Sequence, residues 1–300
     1  MKKWLKATSV LLASTAILAA CGASNNDTND QADSGSSEDQ TYSIGVVGDV
    51  EREVWEDVAK RLEEKEGISL DVVVFDDYVQ PNSALADDSL DLNAFQHLAF
   101  LNDYLESSGE DLTPVGYTYV SPMAAYSNEY DSLDDLQDGD EVVIPNDATN
   151  GGRALLLLEL AGVIDIKDDA GISPTVSDIE SNDKNIKITE VDAAQVPRSL
   201  GDAAAVIANT NYAVDAGLVP DKDGIFVDTD DLSQVGSQYK CAIAVKAEDT
   251  DQDWVQKIVA EYQTPETEEK IKEVTSGADQ KAWTDNDDIK ADFAQVQENA

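Results

Sequence analysis

The segment at residues 143–153 combines groups that suit a small anion. A short apolar run ends at Pro145, a polar loop with two adjacent glycines follows, and Arg153 stands just before four consecutive leucines. We expect a helix that begins near Arg153, with Asn150 as its N-cap. The N–H groups at a helix N-terminus favour an anion, and the Arg153 guanidinium matches a carboxylate. An ordinary strand–turn–helix without a ligand is the alternative.

Polar and aromatic side chains follow three other predicted strand ends, where parallel α/β sheets present ligands. Tyr78, Phe95 and Phe100 are candidates for an apolar pocket wall, although each could instead belong to the core. His97 would add a polar tip, and the amide of Asn209 can accept from an ammonium group and donate to a carboxylate. One guanidinium, several amides and an aromatic wall together fit a free amino acid with an apolar side chain.

The sequence lacks the residue patterns of an enzyme, a metal site or a cofactor site. His97 is its one histidine, and it contains no His-x-x-x-His, Cys-x-x-Cys or Gly-x-Ser-x-Gly motif. It also lacks a phosphate-binding or dinucleotide-binding glycine loop and a calcium loop. We therefore expect no catalytic residue, no metal and no cofactor.

The chain carries 62 acidic and 20 basic residues, for a formal net charge of −42. This charge argues against nucleic acid as a partner, because phosphate recognition needs clustered lysine and arginine. The acidic residues are spread along the chain, which we interpret as adaptation to a saline exterior. An acidic docking face for a basic partner is the alternative.

The N-terminus has the pattern of a secretory signal. A basic start and an apolar run end in Leu-Ala-Ala-Cys at residues 18–21, which resembles the bacterial lipobox. We predict a signal peptide at 1–20, a diacylglycerol anchor on Cys21, and a disordered linker within 21–40. The protein would then be lipid-anchored at the extracytoplasmic face of the cell membrane, and Cys241 would have no disulfide partner in the chain.

The rest of the chain alternates between strand-like and helix-like patterns, and this alternation restarts after an acidic spacer. It predicts two α/β lobes with mainly parallel sheets and a ligand cleft between them. The predicted strands are at 43–47, 70–75, 90–95, 117–127, 141–144, 186–191, 204–208 and 239–245. The predicted helices are at 50–66, 82–86, 100–105, 153–161, 197–200, 211–216, 254–262 and 267–274.

Several of these segments, in the same order, resemble the methionine-binding lipoproteins of ABC importers, the NlpA lipoprotein family. The resemblance runs from about residue 42 to residue 283. The segments that carry it are FDDYVQPN at 75–82, NAFQH at 93–97, PNDATNGGRALLLLE at 145–159, AQVPRSL at 194–200 and KDGIFV at 222–227.

The resemblance implies a two-lobed periplasmic-binding-protein fold whose lobes are joined by hinge strands. Residues 41–120 and 238–300 would form lobe 1, and residues 121–237 lobe 2. Such a protein captures methionine, L- or D-, outside the membrane and delivers it, as a monomer, to an ABC permease and its ATPase. The alternatives are another small amino acid, a thioether or a dipeptide as ligand, or a surface-interaction lipoprotein.

The resemblance also implies a role for individual residues. Tyr78, Phe95 and His97 would line the side-chain pocket from lobe 1. Arg153 would bind the ligand carboxylate, and Asn209 would contact the ligand from lobe 2.

The sequence departs from the family at two site positions. Phe100 stands where many relatives have tyrosine, so one hydroxyl contact is lost, whereas Asn150 keeps its place in the loop before the leucines. Cys241 stands where the family often shows an asparagine that contacts the ligand. We expect Cys241 to change the ligand preference, or Ser237 or Gln238 to take over that contact.

Overall fold

A computed structural model describes residues 40–229 and 231–299 of the protein. The predicted signal peptide, the lipidation site Cys21 and the linker up to residue 39 lie outside the described residues. The strands are β1 (Gln40–Val47), β2 (Ile68–Phe75), β3 (Leu92–His97), β4 (Leu112–Val120), β5 (Met123–Tyr126), β6 (Glu141–Pro145), β7 (Asp165–Ile166), β8 (Ile179–Ser181), β9 (Lys187–Val191), β10 (Ala205–Asn209), β11 (Phe226–Val227), β12 (Lys240–Lys246) and β13 (Gln280–Lys281). The helices are α1 (Gly48–Glu66), α2 (Gln80–Ala86), α3 (Leu98–Ser108), α4 (Ala148–Leu160), α5 (Thr210–Asp215), α6 (Pro220–Asp223), α7 (Asp253–Tyr262), α8 (Pro265–Val274) and α9 (Ile289–Asn299).

The larger of the two main sheets has the strand order β13-β4-β12-β3-β1-β2. Its β1, β2 and β3 are parallel, and α1 and α2 make the crossovers between them. Every residue of β3 is buried, as expected of a central strand in a sheet packed with helices. We call this sheet with its helices the first lobe.

The smaller sheet has the order β11-β5-β10-β6-β9, with β6 parallel to both β9 and β10. Buried aliphatic residues of β6 and β10 pack against the leucines of α4 in one core cluster. We call this sheet with its helices the second lobe.

Both sheets are mixed, so the prediction of mainly parallel sheets is wrong. The chain leaves the first lobe along β4 and returns to it along β12, which lies antiparallel between β3 and β4. Outgoing and returning strands that lie side by side must run in opposite directions. The connection between the lobes therefore imposes the antiparallel half of the larger sheet.

Helix α1 is amphipathic and buries Val54, Trp55, Val58 and Leu62 against the sheet, at the spacing that predicts a helix. These residues share one core with apolar residues of α7, α8 and α9. The core of the first lobe is thus built from both ends of the described chain.

The N-terminus of α1 has no cap of its own, because Val47 precedes it and offers no polar side chain. Asp215, in the second lobe, accepts a hydrogen bond from the backbone N–H of Asp49 at 3.2 Å. Gly48 has φ +84°, and a Cβ there would lie 2.5 Å from the Asp215 carboxylate. Glycine is therefore required for this contact between the lobes.

Helix α4 begins earlier than predicted. Asp147, and not Asn150, is the N-cap: its carboxylate accepts from the backbone and side-chain amides of Asn150, both at 2.9 Å. The predicted start near Arg153 is wrong because two adjacent glycines are typical of a loop and were interpreted as one. They lie inside the helix, and a Cβ on Gly152 would approach Cα of Ser173 to 2.7 Å. Close packing, not a turn, explains the glycine.

The C-terminal helix α9 packs on the first lobe through Phe293 and Val296, which are buried in its core. Asp292 of this helix accepts a hydrogen bond from the Tyr117 hydroxyl of β4 at 2.6 Å. Across residues 40–229 and 231–299, no helix is long and apolar enough to cross a membrane.

Candidate functional site

A cavity lies between the lobes, next to the carboxyl ends of β2 and β3 in the first lobe and of β6 and β10 in the second. This is the edge at which α/β sheets bind ligands. About 400 Å³ of space not occupied by protein atoms lies within the cavity, including solvent at its open side. Its lining consists of Tyr78, Phe95, Gln96, His97, Phe100, Tyr119, Ser121, Asn150, Asn209, Thr210, Asn211 and Cys241.

Three aromatic rings form one apolar wall. The ring centroids of Tyr78, Phe95 and Phe100 are each 5.9 Å from one another. The Tyr78 hydroxyl donates to Oδ1 of Asn211 at 2.6 Å, and its ring packs on Tyr212 with centroids 4.9 Å apart. Because Asn211 and Tyr212 belong to the second lobe, the wall also joins the lobes.

A buried amide network holds the end of β3 against α2. The Nδ2 group of Asn82 donates to Oε1 of Gln96 at 2.7 Å, and Nε2 of Gln96 donates back to Oδ1 of Asn82 at 2.6 Å. Asn93 donates to the same Oδ1 at 2.9 Å. At most 3% of each residue is exposed, so the network is fully enclosed and fixes the loop that carries Tyr78.

The His97 ring is a neutral imidazole with a defined tautomer. Its Nδ1 accepts from the backbone N–H of Phe100 at 3.1 Å and so caps α3. The proton is therefore on Nε2, which lies 3.4 Å from Oδ1 of Asn150 in the other lobe. Burial, and then the positive charge of Arg153, lower the pKa of His97 to about 3.

We expect the His97 imidazole to stay neutral throughout physiological pH. The unfolded chain, with a pKa of about 6.5, binds more protons than the folded one between that value and about 3. The free energy of unfolding should therefore fall as the pH is lowered through this window and be fully retained above it. Imidazole chemical shifts against pH, with the urea-unfolded chain as control, give the two pKa values. A titration midpoint near pH 6.5 for the His97 imidazole of the folded protein would contradict the tautomer assigned here.

The second lobe contributes two linked amides. Nδ2 of Asn209 donates to Oδ1 of Asn150 at 2.7 Å, and Nδ2 of Asn150 donates to Asp147 at 2.9 Å. Oδ1 of Asn209 is buried, and no described residue donates a hydrogen bond to it. A buried acceptor without a donor costs about 1–3 kcal/mol, so this oxygen is prepared for a donor from a ligand.

Arg153 lies beside the cavity and is 6% exposed. Its Nε and Nη2 atoms lie 2.8 and 2.7 Å from one carboxylate oxygen of Asp228, and Nη2 also donates to the carbonyl of Ser121 at 3.0 Å. The guanidinium stacks 4.5 Å from the centroid of the Tyr239 ring. Its Nη1 atom makes no hydrogen bond to any described residue. One corner of the guanidinium is therefore without a partner among the described residues.

The floor of the cavity is formed by β4 and β12 where they connect the lobes. Tyr119 and Ser121 lie at the end of β4. Cys241 lies at the start of β12. Ser237 and Gln238 form a short 3₁₀ helix before β12 and do not line the cavity. The cysteine itself, and neither of the two alternatives, lines the cavity.

The sequence profile of the NlpA lipoprotein family matches residues 43–283. The chain belongs to the NlpA lipoprotein family. It is 44% identical over 242 residues to the D-methionine-binding lipoprotein MetQ of Escherichia coli (strain K12), covering 80% of this chain and 88% of that protein.

Solved structures show the same two-lobed architecture. A nutrient binding protein from Burkholderia cenocepacia bound to methionine has a TM-score of 0.77 and 44% identity, over 81% of this chain and 100% of that one. The substrate binding protein of a methionine transporter from Streptococcus pneumoniae has a TM-score of 0.75 and 37% identity, over 81% and 96%. The predicted periplasmic-binding-protein fold is thus confirmed.

Of the eight ligand-binding residues predicted for this NlpA lipoprotein, the structure brings seven together in the cavity lining. Arg153 is the exception, since it lies behind the lining in its pair with Asp228. The prediction does not single out five other residues of the lining: Gln96, Tyr119, Ser121, Thr210 and Asn211. Gln96 lies within the family segment 93–97, and Thr210 and Asn211 follow the end of β10 outside the segments that carry the resemblance. The floor residues Tyr119 and Ser121 follow no motif.

The positive charge beside the site of this family member is already paired: Arg153 contacts Asp228 in the second lobe. His97 of the first lobe is neutral. Among the residues that the structure describes, no three His, Cys, Asp or Glu side chains are arranged to hold a metal ion. A zwitterionic ligand, which has no net charge but carries one positive and one negative end, therefore fits this site best.

Proposed function

We propose that this protein is the methionine-binding lipoprotein of an ABC importer and binds its ligand in the cavity between the lobes. Three observations support the proposal: membership of the NlpA lipoprotein family, the methionine-binding relatives and a cavity with both aromatic and amide lining residues. The role is that of a binding protein, and no residue is assigned to catalysis.

The unpartnered Oδ1 of Asn209 is the observation that carries the assignment of the site. It is an acceptor without a donor in a cavity whose opposite wall is apolar and aromatic. An amino acid supplies the missing donor with its ammonium group. The thioether of methionine would then lie among the rings of Tyr78, Phe95 and Phe100, because sulfur makes favourable contacts with aromatic rings.

We place the carboxylate of the ligand against Nη1 of Arg153. Asp228 and the carbonyl of Ser121 hold the other donors of the guanidinium and so fix its plane. Because Asp228 already neutralises Arg153, the ligand carboxylate would bind to a dipolar pair and not to an isolated cation. The ligand then needs its own positive end, which also favours a zwitterion.

Binding and release follow from movement of the lobes. We assign residues 41–120 and 238–300 to lobe 1 and residues 121–237 to lobe 2, with the crossings after β4 and before β12 as hinges. Contacts such as Tyr78–Asn211 and His97–Asn150 would form when the lobes meet. A ligand that touches both lobes then shifts the population toward the closed form.

The remaining assignments concern the cellular setting. We place a diacylglycerol on Cys21 after removal of residues 1–20, and the protein as a monomer on the extracytoplasmic face of the cell membrane. Methionine would pass from it to a permease and its ATPase. The net charge of −42 argues against nucleic acid as a partner on electrostatic grounds and suits a saline exterior.

We expect L-methionine to bind the purified protein with one ligand per chain, measured by isothermal titration calorimetry. A thermal-shift screen of the twenty amino acids, D-methionine and methionine-containing dipeptides would rank the ligands. Methionine should give the largest shift, because binding to the folded state alone raises its stability. If no methionine species binds but another amino acid or a dipeptide does, the ligand assignment is wrong and the fold assignment stands.

A further inference from the structure

Two carboxyl groups lie directly beneath the floor of the cavity. Glu51 is in the first turn of α1 and Asp279 immediately precedes β13; they are 2% and 1% exposed. One oxygen of each group, Oε2 of Glu51 and Oδ1 of Asp279, accepts no hydrogen bond from any described residue, although the groups themselves interact with the hydroxyls of Tyr119 and Ser121. Buried carboxylate oxygens normally have partners, so this pair requires an explanation beyond packing.

The strand register connects these acids to the cavity. β13 is antiparallel to β4, with Gln280 opposite Val120 and Lys281 opposite Tyr119. Continuing the register by one residue places Asp279 beside Ser121. Tyr119 and Ser121 both line the cavity, so Asp279 is a neighbour of the cavity lining.

Within residues 40–229 and 231–299, no cation acts directly on either acid. The groups that interact with Glu51 or Asp279, besides these two acids themselves, are all acidic or neutral: Tyr119, Tyr126, Asp215, Cys241 and Tyr262. Two buried carboxyl groups without a cation cannot both ionise. Burial raises the pKa of Asp279 to about 7, while burial and then the charge of Asp279 raise that of Glu51 well above its usual value.

We propose that Asp279 and Glu51 are the counter-charge for the ammonium group of the ligand. This inference rests on the proposed function. In the free protein the pair holds protons; when the ammonium group enters above Cys241, Asp279 loses its proton to solvent and becomes a carboxylate. Only the carboxyl O–H bond breaks.

The proposal fixes the direction of the pH dependence. The complex holds fewer protons than the free protein, so affinity rises with pH between about 6 and 8, by at most tenfold per pH unit for one proton. His97 titrates far below this range and does not contribute. Asp279 and Glu51 act here as positioning residues, since neither lines the cavity.

The test is calorimetry of L-methionine at pH 7 in phosphate and in Tris, whose ionisation enthalpies differ. We expect the protein to release a fraction of a proton per ligand, and the Asp279→Asn variant to release none and to lose the pH slope. Its affinity at pH 8 should fall about tenfold or more. The exposed Asp285 in the same segment provides the matched control, Asp285→Asn, which should behave as the parent.

Each result separates this inference from the proposed function. Methionine binding with no proton release and a flat pH profile overturns the inference and leaves methionine binding intact. Absence of methionine binding in the unaltered protein overturns the proposed function itself. If Asp279→Asn does not fold, the comparison of buffers on the unaltered protein still decides, and Glu51→Gln provides the second variant, for which a reduced release is expected.

Discussion

Replacing Arg153 with alanine is expected to weaken L-methionine binding by a factor of several hundred or more. The guanidinium is buried, and its Nη1 atom is the donor assigned to the ligand carboxylate. Removing one partner of a buried charge pair costs roughly 3–5 kcal/mol, and each 1.4 kcal/mol is about tenfold in affinity. Calorimetry with the parent and the variant at the same pH and salt measures the change directly.

The matched control is Arg198→Ala. Arg198 is exposed and its one hydrogen bond, to Gln195, is 3.4 Å long; its loss should leave methionine affinity within about twofold. Arg153→Ala also leaves the Asp228 carboxylate unpaired. The double variant Arg153→Ala with Asp228→Asn removes that charge and so tests whether the lost affinity merely reflects it. An Arg153→Ala protein that binds methionine as tightly as the parent would remove Arg153 from the site.

Replacing Arg61 with leucine is expected to lower the free energy of unfolding by about 3–5 kcal/mol. The Arg61 guanidinium is 13% exposed and contacts the Glu261 carboxylate of α7, whose side chain is 9% exposed. It also donates to Thr267 of α8 at 2.6 Å and to Asp57 at 3.0 Å. The change would leave Glu261 with only Lys65 as its cation, so urea denaturation should show a lower midpoint.

Arg52→Leu is the control for this stability change. Arg52 lies on the same helix and pairs with Asp49 and Glu56 in the same way, but 36% of its side chain is exposed. Exposed pairs contribute about 0–1 kcal/mol, so this variant should unfold almost as the parent does. Equal losses for Arg52 and Arg61 would show that the buried network does not hold α7 and α8 to α1.

Periodicity was sufficient to predict most of the longer elements of this fold, because local side-chain patterns determine them. It did not separate β4 from β5, and it did not predict α6, α9 or the short strands β7, β8, β11 and β13. The helical spacing of Val54, Trp55, Val58 and Leu62 identifies α1, and the apolar runs identify each central strand. Element ends depend on contacts with distant residues, and here the prediction fails at α4. Nothing in the sequence shows that Gly152 faces the backbone of Ser173.

The candidate site could be predicted in part for a similar reason. Residues that follow parallel strands, such as His97 and Asn209, are brought together by topology alone. The floor depends on two strands that connect the lobes and on a register with β13 that no local pattern reveals. Asp279 therefore could not be associated with the cavity before the strand pairing was known, and the pairing of Arg153 with Asp228 could not be foreseen either.

The cap on α1 has a consequence for how long a ligand stays bound. The acceptor for the N–H of Asp49 comes from Asp215, 166 residues along the chain and in the other lobe. In the proposed cycle, the lobes part before the ligand leaves, and α1 loses this cap as they part. A cap is worth about 0.5–2 kcal/mol, or roughly two- to thirtyfold in rate. The residence time of the ligand is thus set in part by a carboxylate that does not line its cavity.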